Sequence, residues 1–197
     1  GHCPDRRAAG GQQIEEHPNP MKRAFLTAFC TALIAGEHPK ALAEILTAQE
    51  IRKCTELLHT PGISVVRDAQ IAQSAGEVHA LHDPTEGGLA TGLHELAHAS
   101  GTGFRIDLDL LPILPLCQRI CRHFDLDPLG LIASGALLIA AASHSAEKIV
   151  VALRQAGIEA VRFGEVLPPE QGRTIKHGDT TRTLPDFTRD EITRLFE

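Results

Sequence analysis

At 197 residues, with 43% apolar and 22% charged side chains, the chain has the composition of an ordinary globular protein with room for one sizeable core. Its formal charge of −6, with Lys and Arg scattered, excludes the clustered positive footprint that nucleic-acid binding needs. No Trp or Tyr is present, so the core must be aliphatic, and five cysteines without a C-x-x-C pair point to a reducing cytoplasm rather than a disulfide framework.

Residues 1–24 are rich in Gly, Gln, Pro and charge and read as a flexible leader or tag. Residues 24–34 are apolar, and periodicity does not decide between strand and helix. In 39–58, Leu42, Ile45, Leu46, Ile51, Cys54, Leu57 and Leu58 recur at helical spacing, in two segments around Thr47, until Pro61-Gly62 stops them. A short helix follows over 63–71. Residues 78–82 read as a strand, 83–88 as a loop and 89–99 as a helix closed by Gly101. Alternation predicts a strand over 104–108, and Leu116, Ile120 and Phe124 line up a helix over 115–124.

The apolar run 129–142 is too short, and too broken at Ser134-Gly135, to span a membrane, and its 131–142 part reads as a long buried strand with a bend. A helix over 146–156, strands over 160–166 and 173–176 and a terminal helix over 188–196 complete the reading. Strands and helices mix without strict alternation, so the fold class is α+β, a three-layer α/β/α sandwich around a mixed sheet.

The most informative stretch is His82-Asp83-Pro84-Thr85-Glu86-Gly87-Gly88, between a predicted strand and a predicted helix. A helix start offers unsatisfied N–H groups and partial positive charge, and two glycines let an anion approach the backbone. Thr85 can cap the helix or donate to a phosphate, and His82 and Asp83 stand at the strand end. A plain strand-to-helix turn with a threonine cap explains the same residues.

The stretch "VHALHDPTEGGLATGLHELAHASGTGFRIDLDLLPILP" closely resembles the C-terminal domain of AIR synthase-related (aminoimidazole ribonucleotide synthase-like) proteins, above all the hydrogenase expression/formation branch. The likeness continues through "LDPLGLIASGALLIAA", "GIEAVRFGEV" and "DEITRLFE", and upstream through "LLHTPGISVV". It implies residues 60–197 as that domain and 25–59 as a helical remnant of the N-terminal or interdomain segment. It also implies a ligase-like parent enzyme that uses ATP and Mg2+, activates an amide-type oxygen as a phosphate ester, then dehydrates or cyclises. ATP would lie in a preceding N-terminal domain that also carries the homodimer contact, so this fragment alone would be inactive and need no cofactor.

By the same resemblance His82 and Asp83 would be catalytic, and Thr85, Gly87, Gly88, Ser134 and Gly135 would hold a small or protein-borne amide substrate or its phosphate. The hydrogenase branch ends in a cysteine bearing the reacting carboxamide and has an acidic residue before the strand glycine. This chain ends Arg194-Leu195-Phe196-Glu197 and has Ser134 there, which leaves the substrate open.

Two readings of another class compete. The fragment is a non-catalytic dimerisation module, with exposed apolar surface around 24–58, or a zinc hydrolase through His94-Glu95-Leu96-Ala97-His98. Against zinc, Phe104 stands where a third histidine would fall, and no following glutamate comes before Glu147. His94 and His98 read as solvent-facing histidines beside the apolar stripe, and no metal site is assigned. Cys117 and Cys121 read as one core and one partly exposed residue. Asp107, Asp109, Asp125 and Asp127 read as turn and cap residues, and Glu165 as non-catalytic.

Overall fold

The computed structural model describes residues 27–196, so the segment read as a leader lies outside the described residues. Thr47 and Glu50 decide where the third helix starts. The apolar run read as strand or helix is helix α1 (Ala28–Glu37), followed by α2 (Pro39–Leu42) and α3 (Ala48–Glu56). Thr47 Oγ1 accepts from the Glu50 amide at 3.2 Å and Glu50 Oε2 accepts from the Thr47 amide at 2.8 Å, a reciprocal capping box.

The free oxygen of Glu50 accepts from Arg119 at 2.5 Å, tying α3 to α6 (Pro115–Phe124). The Thr47 amide, then Arg119, hold the Glu50 carboxyl well below its ordinary 4.5, at about 2. A folded-state value below the unfolded one stabilises above the unfolded value and is lost as pH falls through the folded one. Acid unfolding curves of the wild type should therefore fall between about pH 4.5 and about 2 by an increment that Glu50→Gln lacks. Parallel curves for the two would remove this pair from the account.

After α4 (Val66–Ala75), strand β1 (Val78–His82) pairs antiparallel with β3 (Leu138–Ala141), setting His82 opposite Leu138. Helix α5 (Gly88–Ser100) ends on Gly101 at φ 63°, the left-handed closure the sequence suggested. Strand β2 (Gly103–Asp107) lies at the centre of a second, mixed sheet with β4 (Gly164–Leu167), β5 (Arg173–His177) and β6 (Thr180–Thr183), in the order β4-β2-β5-β6. β2 runs parallel to β5, and the other pairings are antiparallel. Glu165 faces Arg105 across β2 and β4 and forms an exposed ion pair with it. Helix α7 (Ser143–Gln155) packs on α4 and covers β1 and β3.

The α+β class with a mixed sheet is what the structure shows, with three corrections along the chain, the first being that the strand read over 160–166 is strand only over Gly164–Leu167. The apolar stretch 131–142 is strand only over Leu138–Ala141, because upstream its backbone serves the glycine loop: Leu129 O accepts from Ala90 N and Ala133 N donates to Thr85 O. The terminal helix is a single 3-10 segment, Glu191–Leu195, capped by Asp190.

Apolar burial gathers in three clusters. The first joins α1–α3 to α6, Leu131 and Ile192, the second joins α5 to the mixed sheet, and the third lies between α4 and α7. Cys117 and Cys121 both belong to the first, at 0% and 3% exposure, which corrects the expectation that one would be partly exposed. Their sulfurs lie 3.7 Å apart beside Cys30 and Cys54, so α6 turns both thiols inward as small apolar groups. Burial pushes the Cys54 thiol up to about 11, away from nucleophilic use.

Candidate functional site

The turn between β1 and α5 is built by its glycines. Gly87 and Gly88 take φ values of 71° and 65°, which side-chain-bearing residues rarely adopt. A Cβ on Gly88 would lie 2.5 Å from the Leu131 carbonyl and 2.6 Å from that of Leu129, so the loop packs backbone to backbone on 129–131. The N-cap of α5 is the left-handed Gly87, Gly88 opens the helix in the same conformation, and no side chain caps it. That corrects the capping role suggested for Thr85, which acts through its carbonyl, accepting from Gly88 N at 3.1 Å and Ala133 N at 3.2 Å.

These bonds bring the Ser134-Gly135 turn beside the loop. Gly135, at φ 93°, packs its bare Cα face on Ile63. Ser134 is half-buried, and Asp83 and Thr85 are exposed.

His82 ends β1 half-buried, with Nε2 2.8 Å from Glu95 Oε2 on α5. A carboxylate only accepts, so Nε2 carries the proton and Nδ1 is the ring nitrogen left to act as a base. The approach of this ring to the helix needs Gly92, where a Cβ would meet Pro84 Cβ at 2.7 Å and the His82 ring at 3.2 Å. Thr91 adds a buried hydroxyl with no hydrogen-bond partner, next to Gly87. An unsatisfied buried polar group costs on the order of 1–3 kcal/mol.

The Gly87 amide is engaged by a carboxylate from far along the chain, Asp190 Oδ2 at 2.8 Å. Asp190 lies 103 residues away, and although it opens the tail stretch DEITRLFE and caps the last 3-10 segment, nothing local ties it to Gly87, so sequence reasoning missed it. Gly92 did leave a signal, as an isolated glycine inside a helical stretch marks a close approach.

The H-E-x-x-H segment does other work. His94 is half-buried, not solvent-facing: Arg173, which can only donate, lies 3.2 Å from Nδ1, and Nε2 is 3.1 Å from Pro185 O. Both ring nitrogens are thus spent, Glu95 serves His82, and His98 is exposed. Among the described residues no group of three or more His, Cys, Asp or Glu is placed to hold a metal.

The model of the family AIR synthase related protein, C-terminal domain, matches residues 33–176, which include the strand, glycine loop and helix described above, and the chain belongs to that family. The resemblance read from the loop is thereby confirmed. Carbamoyl dehydratase HypE of Escherichia coli K12 is 32% identical over 169 residues, 81% of this chain and 48% of that protein. HypE of Cupriavidus necator is 39% identical over 107 residues, covering 53% and 30%.

Among solved structures, E. coli HypE matches with a TM-score of 0.60 at 30% identity, over 66% of this chain and 41% of that one. A HypE in complex with ATP matches at 0.53 and 26%, over 71% and 41%. A HypE-HypF complex matches at 0.58 and 26%, over 62% and 41%, so that relative assembles with another protein. The chain spans less than half the length of these relatives. No helix among the described residues is long and apolar enough to cross a membrane.

Proposed function

We propose that this chain is the substrate-facing half of an ATP-dependent enzyme that activates an amide-type oxygen and then dehydrates or cyclises its substrate. ATP and Mg2+ are held by a separate N-terminal half, which also carries the homodimer contact in the cytoplasm. The observation that carries the reading is the His82–Glu95 pair at the mouth of a glycine-shaped loop, in a chain whose relatives include carbamoyl dehydratases.

In this reading His82 Nδ1 takes a proton from the substrate's amide group, and Glu95 steadies the imidazolium that forms. The exposed Asp83 carboxylate and Thr85 hydroxyl orient the amide, and the half-buried Ser134-Gly135 turn forms the opposite wall. Gly87 and Gly88 shape the loop through their φ values. Bound ATP supplies the phosphoryl group that turns the amide oxygen into a leaving group. Ser134 stands where the hydrogenase branch carries an acid, so the proton-accepting role rests on His82, beside the amide-orienting Asp83. Residues 25–59, read as a helical remnant of the N-terminal or interdomain segment, would lead from that half into this one, with 33–59 already inside the matched family region and α1–α3 packed into the first core cluster.

The test starts from the coding DNA upstream of residue 1. An in-frame ATP-binding half with its acidic cluster supports the reading, and the chain by itself should then show no ATPase activity above buffer. A ribosome-binding site and start codon directly before Met21 would overturn it in favour of a free-standing interaction module. ATPase activity of the purified chain that is lost in His82→Ala would refute the division of labour.

A further inference from the structure

The segment that follows β6 crosses back over the site. Pro185 O meets His94, and Phe187 covers Gly130, where a Cβ would lie 2.6 Å from its ring. Glu191 accepts from Asp127 N at 2.9 Å through its carboxylate and donates its own amide to Gly130 O at 3.0 Å. Arg194 donates to Asp125 O at 2.7 Å. The segment is thus bonded to the 125–130 loop on which the glycine loop rests.

Asp190 bonds this segment directly to the glycine loop. At 8% exposure this carboxylate is buried, with Oδ2 accepting from Gly87 N at 2.8 Å and Oδ1 from Ile192 N at 3.0 Å. A buried carboxylate needs such donors, and the start of a 13-residue helix is where a negative charge is favoured. The position an external anion would occupy at the start of α5 is filled from within the chain.

We infer that Asp190 is the positioning residue of the site: the 185–195 segment is a strap, and its carboxylate fixes Gly87 and so the loop that carries His82, Asp83 and Thr85. The functional meaning of that loop rests on the reading proposed above; the strap itself does not. Side chains of the loop, rather than the Gly87 amide, are then what a ligand meets.

Amide hydrogen exchange of the whole chain, read by NMR, tests this in the wild type, Asp190→Asn and Asp190→Ala. Exchange at Gly87 should quicken by about tenfold or more in Asp190→Ala, the value of a hydrogen bond to a charged group. In Asp190→Asn, whose side-chain carbonyl still accepts, protection should be partly restored, while amides in α4 and α7 keep theirs in both variants. Equal exchange at Gly87 in wild type and Asp190→Ala overturns the inference.

If Asp190→Ala does not fold, Asp190→Asn decides: an unmoved Gly87 resonance with unchanged exchange overturns the strap, and a shifted, faster-exchanging Gly87 supports it. A coding sequence without an ATP-binding half would sink the functional reading and leave these exchange rates untouched.

Discussion

Gly88→Val should cost about 2–5 kcal/mol of unfolding stability. The left-handed backbone accounts for about 1–2 kcal/mol of that and forced overpacking for about 1–3 kcal/mol. Gly88 sits at φ 65°, and any Cβ there points at two backbone carbonyls, Leu129 O and Leu131 O, at 2.6 and 2.5 Å. Backbone cannot swing aside as a side-chain tip can. The Ala90–Leu129 bond holds the two segments together, so relief would come only by opening the loop.

Gly101→Ala is the control, because Gly101 has a similar φ of 63° and nothing within 4 Å of its Cβ position. It should lose only the conformational part, about 1–2 kcal/mol. Urea unfolding of the two variants separates the contributions, and a Gly88→Val loss no larger than that of Gly101→Ala would show that the close approach does not constrain the loop.

What could be read in advance follows from the range over which each signal acts. Helix α5 and strand β1 were legible because their apolar spacing and closing glycine are local, and the HDPTEGGLA loop carried the family resemblance. The Thr47 break was legible for the same reason, since a capping box spans four residues. Strand β6 was not, because Thr180–Thr183 is exposed along its whole length and shows no alternation of apolar and polar residues. Residues 131–137 misled through composition: they are apolar like a buried strand, but the glycine loop takes their backbone. His94 misled through helical phase, which places a residue beside a stripe without showing that Pro185 and Arg173 return to meet it. Glu95 and Asp190 reach the loop across 13 and 103 residues, and no periodicity encodes such meetings.

A chain cut back to residues 60–197 should fail to unfold cooperatively, whatever the origin of the helices it loses. Helices α1–α3 and the turn after α2 contribute Ile34, Leu42 and Leu46 to the first cluster at 1%, 0% and 5% exposure. Burying such side chains is worth about 1.5–3 kcal/mol each. Three of them therefore approach the roughly 5–15 kcal/mol by which a whole domain is stable. The cut would also bare the inner face of α6, where Cys117 and Ile120 are now fully buried, and remove Glu50 and the Ile45 carbonyl from Arg119.

The milder variant Leu42→Ala keeps every residue and should cost about 2–5 kcal/mol, as large-to-small core changes do. Denaturant titration followed by circular dichroism reads both. A sharp transition in the shortened chain, at the midpoint of the whole one, would mean that 60–197 folds without the helices and that their packing on α6 adds nothing to it.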